Sequence, residues 1–154
     1  MPISDNIILQ LEKAVSSTTA ALVNGTIIFT ITNGPIQIID ILSECITNVG
    51  VAAETLQWQS NPTVGSATTI SGATTTLSGI AAGATVRLAP TALSTALVIS
   101  LAAAGGVQLG TSVSNRITVN AGTISTVIVA ATTGTWKHYL RYMPLDPTVT
   151  VTAA

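Results

Sequence analysis

Along most of this chain, apolar and polar positions alternate with a period of two rather than 3.6. The clearest case is TWKHYLRYM, Thr135 to Met143. An extended backbone there puts Trp136, His138, Leu140 and Tyr142 on one face and Lys137, Tyr139, Arg141 and Met143 on the other. The first set suits a core face. The second suits a solvent or partner face, with two cations flanking a tyrosine.

The same reading predicts strands at GTIIFTIT (Gly25 to Thr32), ETLQWQS (Glu54 to Ser60), ATVRLAP, TALVISLA, NRITVN, TISTVIVA and the closing TVTVT. Turn chemistry separates them at Asn33-Gly34, Asn61-Pro62, Pro90, Gly105-Gly106 and Ala121-Gly122. PIQIIDILSECIT (Pro35 to Thr47) allows a helix starting at Pro35, but its load of β-branched residues favours a strand. Its imperfect alternation predicts either cover on both faces or a bulge. From Thr63 to Ala84 small residues dominate, which predicts short strands and loops. One stretch breaks the β pattern. Ile7, Ile8, Leu11, Ala14 and Val15 fall on one helical face, with Asp5 placed to cap and Lys13 near the C-terminal end. A short helix is expected from about Asp5 to Ser16.

Eight or so short strands with turns between them predict an all-β fold, an antiparallel β-sandwich of jelly-roll-like form. The expected organisation is an N-terminal helix or arm over 1–22 and a single sandwich domain over 23–154. At 154 residues the chain is long enough to bury a real core. Phe29, Trp58, Trp136 and Tyr142 are its expected anchors.

Composition changes this picture in one respect. Only 7% of residues are charged, against roughly 25% in an ordinary soluble domain, and 26 of the 154 residues are threonine. A surface of Thr, Ser, Asn, Gln and Gly is poorly defended against self-association, which suggests that other subunits cover much of it. The net charge of −1 and five scattered basic residues exclude a nucleic-acid footprint and a polybasic membrane patch. Cys45 is the only cysteine, so neither an intrachain disulfide nor a cysteine-based zinc cage forms, consistent with synthesis in a reducing cytoplasm. TALSTALVISLAAAGGVQLG has the length of a membrane span but contains Thr, Ser, Gln and a Gly pair and lacks aromatic anchors. No membrane partner is expected.

Candidate chemistry is sparse. His138 needs a nucleophile or an orienting carboxylate to act, and no G-x-S-x-G elbow is present. Asp40 and Glu44 share a face in either a helix or a strand; such a pair does acid–base work, binds a divalent cation, or is simply two solvated charges. No nucleotide loop or metal motif accompanies them, and no cofactor is expected. Trp58 is a core residue or a ligand platform. Arg87 and Arg116 each interrupt an apolar strand pattern, as solvated residues or as anchors for a partner's carboxylate. With Lys137, Tyr139 and Arg141 they form the expected partner-contact set.

GTIIFTITNGPIQIIDIL near the start and WKHYLRYMPLDPTVTVTAA at the end together resemble small virion-associated proteins of tailed bacteriophages. The matched pattern is a strand, an N-G-P turn and an isoleucine-rich strand, then a late W-K-x-x-L-R-Y-x-P-L strand and a Thr/Val/Ala tail. It covers about a quarter of the chain and brings no catalytic residue with it. The resemblance implies a noncatalytic structural part of a virion, with a capsid decoration (cement) protein the closest fit. It further implies a homo-oligomer, a trimer favoured, on the capsid exterior and in contact with the major capsid protein. The alternatives are a tail or fibre module binding host glycan or another virion protein, and a glycan-cleaving enzyme built on Asp40 and Glu44.

Overall fold

The computed structural model describes residues 12–50, 54–88, 98–100, 117–131 and 133–154. Among these residues it is all-β, two antiparallel sheets packed face to face. The strands are β1 (Lys13–Thr19), β2 (Ile27–Thr32), β3 (Ile36–Cys45), β4 (Leu56–Pro62), β5 (Thr68–Thr69), β6 (Thr85–Arg87), β7 (Val98–Ser100), β8 (Ile117–Val119), β9 (Gly122–Ile128), β10 (Trp136–Pro144) and β11 (Thr150–Ala153). One sheet has the order β1-β10-β3-β6-β7, with β8 also paired to β3. The other has the order β11-β2-β9-β4-β5. The chain changes sheet at each step from β1 to β4 and again from β8 to β11, so both layers draw strands from both ends of the sequence.

The core lies between the layers, where period-two alternation delivers every second side chain. β4 contributes Leu56 and Trp58, β10 contributes Trp136, Leu140 and Tyr142, and β3 contributes Ile36, Ile38 and Ile41. Phe29, Trp58 and Trp136 are fully buried and Tyr142 nearly so, which places all four expected anchors in the core. Neither indole nitrogen has a hydrogen-bond acceptor among the described residues. The irregularity in the Pro35–Thr47 pattern has a local cause. The β3–β10 register passes from Asp40↔Arg141 to Ile38↔Tyr142, leaving Ile39 as an extra residue in a bulge. The N-G-P turn before β3 holds Asn33 at φ 64° and Gly34 at φ 140°, conformations that asparagine and glycine tolerate best.

The helix expected from Asp5 to Ser16 is corrected where the structure describes it. Lys13–Thr19 is an edge strand paired one-for-one with Tyr142–Trp136. Its inward positions are Val15, Ser17 and Thr19, two of them hydroxyls, so hydrophobic spacing misread the segment. Part of the expected 1–22 arm therefore belongs to the sandwich. Residues 5–11, the Asp5 cap among them, lie outside the described residues. So does most of the 91–110 apolar stretch; among the described residues no helix is long and apolar enough to cross a membrane.

Candidate functional site

One side of the six-stranded sheet brings β1, β10 and β3 together, and its two faces have different chemistry. On the outer face, antiparallel pairing sets Lys137 opposite Glu44 and Arg141 opposite Asp40. Tyr139 lies between the two cations. Its hydroxyl donates to Glu44 Oε2 at 2.9 Å, and Lys137 Nζ sits 5.1 Å from its ring centroid. Asp40 takes a two-point contact from Arg87 on β6, Nε to Oδ1 at 3.0 Å and an Nη to Oδ2 at 2.8 Å. Arg141 turns the other way and pairs with Glu12 just before β1.

Four of the five expected partner-contact residues, Arg87, Lys137, Tyr139 and Arg141, thus share one face. Arg116 lies outside the described residues. Each of the four is already engaged within the chain. Three acids (Glu12, Asp40, Glu44) and three bases (Arg87, Lys137, Arg141) balance in number; two couples are ion pairs, and Lys137 and Glu44 both meet Tyr139 between them. The sequence held a signal for this arrangement. Asp40 and Glu44 are four apart, and so are Lys137 and Arg141, so an antiparallel pair matches the two couples. What the sequence did not show is Arg87, which reaches Asp40 only because β6 docks beside β3.

Asp40 and Glu44 do not converge. Leu42 stands between them on the same face, and each carboxylate has its own partner, an arginine for one and a tyrosine hydroxyl for the other. Among the described residues, no group of three or more His, Cys, Asp and Glu side chains is placed to hold a metal ion.

On the inner face His138 is fully buried. Ser43 Oγ lies 2.7 Å from Nδ1 and Thr19 Oγ1 lies 3.1 Å from Nε2. Burial lowers the imidazole pKa from 6.5 to about 4, so the ring is neutral at neutral pH. One ring nitrogen donates and the other accepts, and a hydroxyl can answer either role. The Ser43–His138 contact has the distance of a nucleophile–base pair, and both residues are 0% exposed. The arrangement ties the inner faces of β1, β10 and β3 together.

Trp58 is 0% exposed, so it is core and not a stacking platform. Glu54, which the sequence did not single out, is buried two residues before β4. Desolvation raises its pKa, and Oε2 has no hydrogen-bond partner among the described residues. Two surface depressions lie among the described residues. A trough of about 320 Å³ runs over Ala14, Val15, Ser16, Tyr139, Leu140 and Arg141, where small β1 side chains adjoin large β10 ones. A cleft of about 380 Å³ separates the β4–β5 hairpin from β8 and is lined by hydroxyls, Val64 and Ile117, with no charged or aromatic side chain. No protein-family model, no curated protein and no solved structure matches this chain.

Proposed function

We propose that this chain is a noncatalytic structural protein of a tailed-bacteriophage virion, a capsid decoration protein that adds buried contact across capsomer boundaries. The observation that carries the reading is the treatment of charge. One sheet's outer face engages each of its charged side chains within the chain, by two ion pairs and by Tyr139, and the strands of the other sheet contain no charged residue. Surfaces of this kind lose less on desolvation than surfaces of free ions, because each charged group keeps its partner when water leaves. That suits a part held permanently against other subunits, namely the major capsid protein and further copies of itself. The repeated crossing between sheets supports a jelly-roll-like sandwich, a form compatible with that role. Synthesis in the host cytoplasm and a place on the capsid exterior follow from the same reading.

The glycan-binding alternative required exposed aromatics, and it is the weaker reading. Trp58 is buried, and the Tyr139 hydroxyl is committed to Glu44. Adding the purified chain to shells that lack it should give saturable binding and a higher shell melting temperature. Absence of both effects would overturn the decoration role.

A further inference from the structure

Sheet edges with unpaired backbone groups are templates for another strand, and proteins usually blunt them with charge, proline, bulges or brevity. Among the described residues four of the one-sided strands are short: β5 has two residues, β7 and β8 three each and β11 four. The fifth is different. β1 is seven residues long, runs beside β10 without a register shift, contains no proline, and carries its single charge, Lys13, at one end. Among the described residues it is paired on one side only.

We infer that β1 is a self-pairing edge that joins two copies of this chain, strand against antiparallel strand, about a two-fold axis through Ser16. The sequence of β1 fits its own reverse. Centring the pair on Ser16 uses all seven residues. It sets Ser16 against Ser16 of the second copy, Ala14 against Thr18, Val15 against Ser17 and Lys13 against Thr19. No like charges meet: the two Lys13 residues are six positions apart along the strands, about 20 Å, beyond the screening length of about 10 Å at ordinary ionic strength. Centring on Val15 or Ser17 instead would pair only five residues.

The flanking structure agrees. The outward residues Ala14, Ser16 and Thr18 are small and exposed, so among the described residues none obstructs approach in the plane of the sheet. Val15, partly buried against the core, gains cover from Ser17 of the second copy. β11 lies beside β1 in the other layer, with Ser17 Oγ donating to the Ala154 carbonyl at 3.3 Å. The same axis therefore brings two uncharged β11 edges toward each other, and the interface has two layers. Such an assembly is isologous and even-numbered, unlike the trimer implied by the phage resemblance.

Light scattering on the full chain at tens of micromolar should give twice the chain mass. Ser16→Lys and Ser16→Glu each place like charges face to face on the axis, and each should halve that mass. Mixing the two variants should restore it, which also shows that both are folded. Under mild oxidation Ser16→Cys should cross-link to a covalent dimer. Thr18→Cys should not, because it faces Ala14 and lies about 13 Å from its own copy. The native Cys45 is buried and does not compete. A wild-type chain of single mass would overturn the inference. So would an assembly unchanged by Ser16→Lys, or equal cross-linking of the two cysteine variants. The inference does not rest on the virion reading: a Ser16-dependent dimer that ignores shells would remove the decoration role and leave the pairing intact.

Discussion

The outer faces of the two sheets have the same strand geometry and opposite means of meeting water. The six-stranded sheet carries Asp40, Glu44, Arg87, Lys137 and Arg141, joined by Glu12 beside β1; register sets bases opposite acids, and Arg87–Asp40 and Arg141–Glu12 are its ion pairs. The five-stranded sheet presents Thr30, Thr32, Thr123, Thr150 and Thr152 with Gln57, Gln59 and Asn61, and its strands contain no charged residue. A charge must find a particular partner or pay for solvation. A hydroxyl or amide can donate or accept and is satisfied by whichever neighbour is close, as in the 2.6 Å contact between the Thr32 and Thr150 hydroxyls. The charged face therefore helps to specify its own register, whereas the threonine face tolerates many neighbours and needs its register set elsewhere.

The uncharged sheet takes its register from the inner layer and from one glycine. Gly122 opens β9 opposite Pro62 at φ 151°, and a Cβ there would lie 2.2 Å from the Asn61 carbonyl oxygen. Gly122→Ala should be the most disruptive single change, costing about 2–4 kcal/mol from clash and backbone strain. Chemical denaturation reads this directly. A cost below about 0.5 kcal/mol would mean that the β4–β9 register is not fixed at this point.

In the charged sheet the equivalent internal constraint is His138, and pH tests it. Above pH 6.5 the imidazole is neutral folded and unfolded, so its contribution to stability is fully present. As pH falls from 6.5 through about 4, the unfolded chain binds a proton that the folded chain refuses, and stability is lost. The full window is worth roughly 3 kcal/mol. Urea midpoints for the wild type should therefore fall more steeply over that range than those of His138→Gln; parallel curves would place the histidine's titration elsewhere.

Smaller effects separate the two outer faces. Asp40→Asn breaks the two-point contact with Arg87, in which both side chains are largely buried, and should cost about 1–2 kcal/mol, with a reduced dependence on salt. Glu12→Gln, at the exposed pair with Arg141, should cost less than about 0.5 kcal/mol. Thr150→Val on the threonine face should fall in the same small range, because water replaces the lost hydroxyl partner. If Thr150→Val cost as much as Asp40→Asn, the contrast between the faces would fail.

Much of the fold was legible along β10. Alternation alone assigned Trp136, His138, Leu140 and Tyr142 to the interior and Lys137, Tyr139 and Arg141 to the outside, because a strand's side-chain period leaves no other choice once its ends are fixed. β1 was misread for the complementary reason. Its buried positions include Ser17 and Thr19, and a hydrophobicity pattern does not register hydroxyls buried against their partners, the Ala154 carbonyl for one and His138 for the other. The candidate face was half legible. The matching spacing of Asp40 with Glu44 and of Lys137 with Arg141 was present in the chain, but their apposition depends on pairing between segments about a hundred residues apart.

The sequence by itself determined the β class, the inward and outward sets of its strongest strands, and a surface poor in charge. These are local properties, written in periods of two and in side-chain chemistry. Only the tertiary structure decided that Thr19 and Ser43 enclose His138, that Arg87 rather than Arg141 holds Asp40, and that β1 is the long one-sided strand among the described residues. Those outcomes depend on which strands become neighbours, and that is settled by packing two sheets around one core rather than by any residue's own preference.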